Sequence, residues 1–326
     1  MLHMAQHMKH LKTSLETTDD GNEDNRQQIQ IYAKDSMDRF GDDLCALLLF
    51  FLSLEDRFRC ECVSKQFQRT VFESVVDITL CNQIINKIMG TLIDTQLLAT
   101  IAKKCPNIEI IDCREITYGC LKYMPEVLNA FQNNCRHLRE IHLNEYSPEN
   151  NRLLAAFAAQ NQCIRSVVIH SSCNQFSNTI VECGQQLSLL TQLRELSLRL
   201  DQVINENSLS ESLRTIGLNC KQLQRLTLQL MSNNTPLDGQ TLDSLRCYHR
   251  LKRLRLSVYA AVDPQLPALQ MLVIRFREDI HLSDTDLNAV LSSNPKLKNI
   301  EIIANFVKKI YLNRVDNMTN HLTLVS

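Results

Sequence analysis

The chain has 326 residues, of which 44% are apolar and 22% are charged, and its formal net charge is −1. This composition is typical of a folded globular protein, and the charge balance excludes a general affinity for nucleic acid or an anionic membrane. The thirteen cysteines are dispersed between Cys45 and Cys247 with no CxxC spacing. We therefore predict no disulfide framework and no zinc site, and we expect a reducing location, cytoplasmic or nuclear.

Residues 1–35 are mostly polar and rich in acidic side chains, and they predict a disordered lead. The first twenty residues contain no long apolar core, so no secretory signal is predicted. His3, His7 and His10 have a spacing that resembles a metal site, but in a flexible lead we interpret them as solvated side chains. No metal and no cofactor is predicted.

Residues 44–52, LCALLLFFL, contain no polar side chain. A membrane-spanning helix needs about 20 apolar residues, so this run is too short to cross a bilayer. One helical face is predicted to comprise Leu44, Leu47, Leu48, Phe51 and Leu52. Ser53 and Ser64 are predicted to cap two further short helices. Because three short helices cannot bury a helix that is apolar on nearly all sides, one face should meet another surface.

A short frame recurs from residue 75: apolar, two variable, apolar, one variable, apolar. The copies begin at Val75, Ile108, Leu138, Ile164, Leu193, Leu223, Leu251, Leu269 and Leu297. The intervals are 33, 30, 26, 29, 30, 28, 18 and 28 residues, which places all but one near the range of leucine-rich repeats. The interval of 18 residues predicts a shortened crossover before Leu269.

Helical spacing of apolar residues follows several of these frames, in residues 91–105, 120–135, 210–220 and 284–294. A short strand followed by a helix, repeated, predicts parallel strands joined by helical crossovers. Neighbouring strands lie about 4.8 Å apart and neighbouring helices about 10 Å apart, so such a stack should curve with its strands inside. The sequence therefore predicts an α/β solenoid over residues 75–305, with residues 306–326 as a cap or tail.

The frames resemble those of leucine-rich-repeat proteins of the cysteine-containing class, because Cys105, Cys135 and Cys220 each stand three residues before the first leucine of a frame. Asn161 and Asn294 take the place of the cysteine in two copies. This resemblance implies a leucine-rich-repeat horseshoe with parallel concave strands and convex helices.

Residues 36–74 resemble an F-box, a small all-α module of three helices. The family pattern is Leu-Pro-acid-acid-Leu, an apolar helix, an acidic turn and Val-Cys/Ser-Lys-x-Trp. This chain has the corresponding segments 40–44, 44–52, 55–56 and 63–67. Gly41 stands where proline is usual, and Phe67 stands where tryptophan is usual.

The F-box resemblance implies a substrate receptor of an SCF-type ubiquitin ligase, without catalytic residues of its own. A Skp-family adaptor would bind the F-box and link it to cullin and RING proteins, while the repeats would hold the target protein. The residues that the resemblance assigns to adaptor binding are Phe40, Leu44, Leu48, Leu52, Val63 and Phe67.

The third, fifth and seventh positions of each frame should share the concave face, because side chains alternate along a strand. The early copies place Asp77, Asp112 and Glu140 there, whereas later copies place arginines there. The predicted target-binding residues are Arg199, Arg225, Arg253, Arg255 and Arg275. They would bind an acidic or phosphorylated segment. Alternatively, they are solvated side chains with Glu195 and Glu278 as partners.

A second interpretation is a repeat scaffold unconnected with ubiquitination, in which the helical segment caps the first repeat by packing against Val75 and Ile78. His142 and His170 face the same side in neighbouring copies, and we interpret them as a chance strand pair. The sequence contains no nucleophile elbow, P-loop or HExxH motif, so no enzyme activity is predicted.

Overall fold

The computed structural model of the chain describes residues 41–89, 95–117, 119–144, 157, 163–171, 179–200, 206–230, 239–258, 266–276, 284–303, 310–313 and 322–324. The predicted lead, with His3, His7 and His10, lies outside the described residues, as do Phe40, Asn161 and Glu278.

The described chain begins with three short helices, α1 (Asp42–Phe50), α2 (Leu54–Arg59) and α3 (Lys65–Glu73), with a 3₁₀ turn at Cys60–Cys62. The predicted caps are confirmed. The Ser53 Oγ accepts a hydrogen bond from the Asp56 backbone N–H at 3.1 Å, and the Ser64 Oγ accepts one from the Phe67 N–H at 3.1 Å. Each serine thereby satisfies a backbone donor that the first helical turn leaves unpaired.

Eleven described strands form one sheet in sequence order. They are β1 (Asp77–Cys81), β2 (Ile110–Glu115), β3 (Glu140–Asn144), β4 (Ser166–Ser171), β5 (Glu195–Leu200), β6 (Arg225–Leu230), β7 (Arg253–Val258), β8 (Met271–Phe276), β9 (Asn299–Ile303), β10 (Ile310–Asn313) and β11 (Leu322–Leu324). Strands β1 to β9 pair in parallel. The last two strands are antiparallel to their neighbours and lie within the predicted cap or tail.

Described helices lie between many of these strands. They are α4 (Asn82–Met89), α5 (Thr95–Lys104), α6 (Met124–Asn134), α7 (Thr179–Leu187), α8 (Glu206–Asn219), α9 (Gly239–Ser244) and α10 (Asp284–Ser293). The four stretches of predicted helical spacing coincide with α5, α6, α8 and α10. The α/β solenoid is therefore confirmed, including the short connection between β7 and β8, which still pair along their whole length.

The core is a continuous layer between the sheet and the helices. Frame positions one, four and six are buried in strand after strand, as with Leu138, Ile141 and Leu143. Side chains of the helices, such as Phe131 of α6 and Leu213 of α8, complete the same cluster. No repeat could bury its apolar face alone, so each depends on its neighbours for cover.

The position three residues before each frame links successive repeats. The Sγ of Cys220 lies 3.4 Å from the carbonyl oxygens of Leu187 and Leu190 in the preceding repeat. Asn294 has the same position before β9, where its Oδ1 accepts a hydrogen bond from the Leu266 N–H at 2.8 Å. Different side chains thus satisfy the buried backbone groups of the preceding repeat.

None of the helices in the described part of the chain combines the length and the apolar character that a membrane span requires.

We predict that the buried cysteines resist alkylation. Burial raises the pKa of Cys105 and Cys220 to about 12 and that of Cys135 to about 11, so little thiolate forms near pH 8. Iodoacetamide should modify them at least ~100-fold more slowly than exposed Cys62 and Cys163, measured by mass spectrometry of native protein. In urea all five should react alike, and native labelling of Cys135 as fast as that of Cys62 would contradict the packing described above.

Helices α7 and α8 are so close at Gly184 that we expect this glycine not to tolerate a larger residue. A Cβ atom at Gly184 would lie 2.6 Å from the Ser212 Cβ and 2.8 Å from its Cα. We expect Gly184→Ala to lower the free energy of unfolding by about 1–3 kcal/mol, measured in urea, because the backbone of α8 must shift. The control is Gly119→Ala, where a Cβ meets nothing within 4 Å. Equal stability of the two variants would contradict this close approach.

Candidate functional site

The helical segment α1–α3 has a small core of its own. Cys45 and Leu49 of α1 are fully buried, as is Val71 of α3, and Phe67 of α3 is 5% exposed. These four residues do not belong to the core cluster of the repeats. The spacing of four residues on both helices explains the packing, because residues i and i+4 share one helical face.

Polar contacts hold α1 in place at both ends. At its start, the Asp42 carboxylate accepts hydrogen bonds from the Gln66 Nε2 at 2.8 Å and the Arg69 Nη2 at 2.9 Å, and these two partners lower the pKa of Asp42. Beyond its end, Arg57 donates from Nε to the Leu52 carbonyl and from Nη2 to the Phe50 carbonyl. The guanidinium thereby satisfies carbonyls that the end of a helix leaves unpaired.

An exposed cluster, the apolar patch, consists of Leu48, Phe50, Phe51 and Leu52. Leu48 is 42% exposed and Leu52 is 37% exposed, while Phe50 and Phe51 are 70% and 58% exposed. The two phenyl rings contact each other edge to face, with centroids 5.6 Å apart. Four large apolar side chains in five residues, without cover from the described chain, indicate an interaction surface.

The predicted adaptor-binding residues differ in their exposure. Leu48, Leu52 and Val63 are exposed, whereas Leu44 is partly buried. Phe67 lies in the small core and cannot belong to an exposed surface. Phe40 lies outside the described residues.

The predicted face of α1 is exposed only in part. Leu44 and Leu47 are only partly exposed, and the buried pair is Cys45 and Leu49. Phe50 was not predicted as exposed. The sequence does contain a signal for this packing. Cys45 and Leu49 of α1 are four residues apart, and so are Phe67 and Val71 of α3.

The helical segment also rests on the first repeats. Phe58 and Phe72 pack against the core cluster that contains Val75 and Ile78. The Lys104 Nζ of α5 lies 2.6 Å from the Glu61 carboxylate and 4.6 Å from the centre of the Phe72 ring. The segment therefore has its own core and in addition covers the start of the repeats.

The open face is the face of the sheet that carries frame positions three, five and seven, opposite the buried core. Its side chains align in columns across the strands because each strand from β2 to β9 pairs with the next in one register. One column runs through Glu140, Ser166, Glu195, Arg225 and Arg253. A second runs through Asp112, His142, Val168, Ser197, Thr227 and Arg255.

The register brings three of the five predicted arginines together. Arg225 pairs with Arg253 across β6 and β7, and Arg255 lies two residues further along β7 on the same face. Arg275 is opposite Ser257, one strand further on. Arg199 is separate from the others, partly buried beside His170.

The five arginines differ in their partners. Arg225 donates from Nε to the Glu195 carboxylate at 2.8 Å, as the alternative interpretation predicted for this residue. Arg253, Arg255 and Arg275 are exposed, and no carboxylate of the described chain lies within ion-pair distance of them. Among the described residues, the part of the open face whose positive charges have no carboxylate partner is therefore the surface of β7 and β8.

Two of the acidic residues of the early strands, Asp112 and Glu140, have side-chain partners on the open face. Arg114 donates from Nη2 to the Asp112 carboxylate at 2.6 Å. Burial raises the pKa of Asp112, but its hydrogen bonds from Arg114 outweigh burial and lower that pKa to about 2. The ring of His142 lies between two carboxylates, with Nε2 at 2.6 Å from Glu140 and Nδ1 at 3.4 Å from Asp112. Arg114 occupies a seventh frame position, so the alternation rule applied to β2 would have identified it.

His142 and His170 are near neighbours on the open face. Burial lowers the pKa of His170, and Arg114 and Arg199 lower it further. Within the described residues, no group of three or more His, Cys, Asp or Glu side chains has the geometry to hold a metal ion.

No protein-family model matches the sequence, and no curated protein is significantly similar to it. Among solved structures, the chain is similar to the leucine-rich repeat-containing protein LegL7 from Legionella pneumophila, with 15% sequence identity and a TM-score of 0.51. This alignment covers 77% of the present chain and 82% of LegL7. The similarity shows that the repeats have the leucine-rich-repeat fold, and at this identity it shows the fold alone.

The chain also aligns with a structure of the Rad7 and Elc1 complex in yeast, with 14% identity over 81% of this chain and 90% of that one. The TM-score of this alignment is 0.28, which is too low to support an argument about either fold or function.

Proposed function

We propose that this chain is the substrate-recognition subunit of an SCF-type ubiquitin ligase. In this proposal α1–α3 act as an F-box that docks on a Skp-family adaptor, and the repeats bind the protein to be ubiquitinated. The supporting observation is the apolar patch, which lies on a segment that resembles an F-box in sequence and has its own small core.

The arrangement suits docking on a preformed surface. Cys45 and Leu49 hold α1 against α3, so the opposite side of the helix is free to contact a partner. Because the backbone of the helix is already ordered, binding orders only the side chains, and this smaller entropy cost favours affinity. Leu48, Phe50, Phe51 and Leu52 are accordingly the proposed anchors, with Val63 as an outlying contact, whereas Phe67 supports the helix from inside.

The chemistry of the reaction would belong to other subunits. The adaptor would connect the chain to cullin and RING proteins, and the repeats would raise the local concentration of target lysines near a charged ubiquitin-conjugating enzyme. The proposed target surface is the exposed arginine cluster on β7 and β8, where Arg253, Arg255 and Arg275 lack carboxylate partners in the described chain. Such a cluster favours an acidic or phosphorylated segment.

A second function is favoured by a different observation. Phe58 and Phe72 pack on the repeat core, and Lys104 pairs with Glu61, so the helical segment also behaves as a cap of the repeats. A leucine-rich-repeat scaffold that binds a partner without a link to ubiquitination would need this cap and no adaptor.

We predict that Leu48→Asp with Leu52→Asp abolishes capture of a purified Skp-family adaptor. Burying an aspartate in an apolar interface is unfavourable and removing an apolar anchor costs ~2 kcal/mol or more, so affinity should fall at least tenfold in calorimetry. Folding should persist because both leucines are exposed.

The matched control is Leu189→Asp with Leu218→Asp, which changes two leucines that are 43% and 50% exposed away from α1. The control should bind the adaptor like the wild type. A wild-type chain that does not bind the adaptor overturns the proposal and leaves the scaffold function.

We predict that Arg253→Glu with Arg255→Glu removes target recognition but not adaptor binding. In cells, proteins whose ubiquitin-remnant peptides increase with the wild-type chain should return to background with this variant, because charge reversal repels an acidic segment. Arg225 stays unchanged, since its ion pair with Glu195 would confound the result. Unchanged ubiquitination of the same proteins would exclude this surface.

A further inference from the structure

A row of cations lies along the rim of the sheet where the chain enters each strand. The residue directly before β3, β4, β5, β7 and β9 is Arg139, Arg165, Arg194, Lys252 and Lys298 respectively. Their backbones form a hydrogen-bonded ladder, continued by Gln224 and Gln270 at the two remaining places. From β3 to β9 this basic rim spans about 30 Å at the usual strand spacing.

The charges of the basic rim are exposed, and most have no carboxylate partner among the described residues. In the described entry turns from residue 105 to 298, the single carboxylate is Glu109, and it pairs with Arg139. Lys221, Arg250 and Lys296 add further exposed cations in the same turns. In a chain with a net charge of −1, this segregation of like charges is unfavourable by itself, and a bound polyanion would relieve the repulsion.

The rim contains a cavity of about 380 Å³ between the turns that enter β7, β8 and β9. The short repeat provides the space, because Ala268 has a small side chain. The corresponding residue is Arg250 in the turn before it and Lys296 in the turn after it. The lining includes these two cations, Lys252 and His249, together with the amides of Gln224 and Gln270. The Arg250 guanidinium is oriented by a 2.6 Å hydrogen bond from Nη1 to the Gln222 Oε1.

We infer that the basic rim is a docking surface for an extended, aspartate- and glutamate-rich segment of a partner protein, with one acidic side chain in the cavity above Ala268. A segment of roughly nine extended residues covers the length of the rim. Cations at strand spacing would pair with its carboxylates, and the glutamine amides can both donate to and accept from its backbone.

A protein segment fits better than a nucleic acid. Single-stranded nucleic acids bind to basic grooves that also present aromatic rings for base stacking. The one Phe, Tyr or Trp side chain in the described entry turns, Tyr248, is 3% exposed, and its hydroxyl donates to the Leu213 carbonyl at 2.6 Å. The described rim therefore offers charge, imidazole and amide groups without an exposed Phe, Tyr or Trp ring.

The test is fluorescence anisotropy of the full chain with a labelled deca-glutamate peptide, at low and at physiological ionic strength. Arg250→Glu with Lys252→Glu should weaken binding at least about tenfold, as expected from the loss of charge-assisted hydrogen bonds. Ala268→Phe, which fills the cavity without changing the charge, should weaken it several-fold. The matched control is Lys103→Glu with Arg214→Glu, the same charge change on exposed helix positions, and it should bind like the wild type.

Three outcomes would overturn the inference. An equal loss of peptide affinity in the helix control would show that the effect depends on net charge alone. A ten-nucleotide oligo-dT that binds as tightly as the peptide would indicate a nucleic-acid surface. If neutralising Asp19, Asp20, Glu23 and Asp24 to amides raises the affinity for the peptide tenfold, the rim binds the chain's own lead instead of a partner protein. The peptide assay contains no adaptor, so its result does not depend on whether the helical segment binds one.

Discussion

The in-register parallel pairing of β2 to β9 is the constraint on which the other features depend. It stacks Ile141, Val167, Leu196, Leu226 and Leu254 in one buried column, and it stacks the intervening residues on the open face. A shift of one residue would exchange the two faces of a strand and place charges in the core. The same register aligns the residues before the strands along one rim, so that similar side chains in separate repeats become neighbours.

Buried polar contacts then connect one repeat to the next, and their chemistry varies while their position does not. Cys135 and Cys220 direct their thiols at carbonyls of the preceding repeat, whereas Tyr248 and Asn294 use a hydroxyl and an amide at the corresponding place. An unpaired buried backbone group costs about 1–3 kcal/mol, so each repeat needs a hydrogen-bonding side chain there. This requirement explains why a cysteine can be replaced without loss of the fold.

The exposed groups are of two chemical kinds, and they occupy different elements. Apolar side chains lie on α1, a helix fixed from behind by Cys45 and Leu49 and at its end by Arg57. Positive charges lie on the sheet, at the open face of β7 and β8 and along the rim. An apolar surface on one module and a charged surface on another suit a protein that holds two partners at once, the function proposed above.

The sequence by itself determined the repeat, the alternation of strand and helix, the short crossover before Leu269, the serine caps and an apolar helix too short to span a bilayer. These follow from local spacing, which one chain segment contains in full. The burial of Phe67 and the exposure of Phe50 required the tertiary structure. The cavity above Ala268 also required the tertiary structure, because it exists where three successive turns are neighbours and the middle turn has a small side chain. Such features depend on contacts between separate segments of the chain, and spacing within one segment cannot specify them.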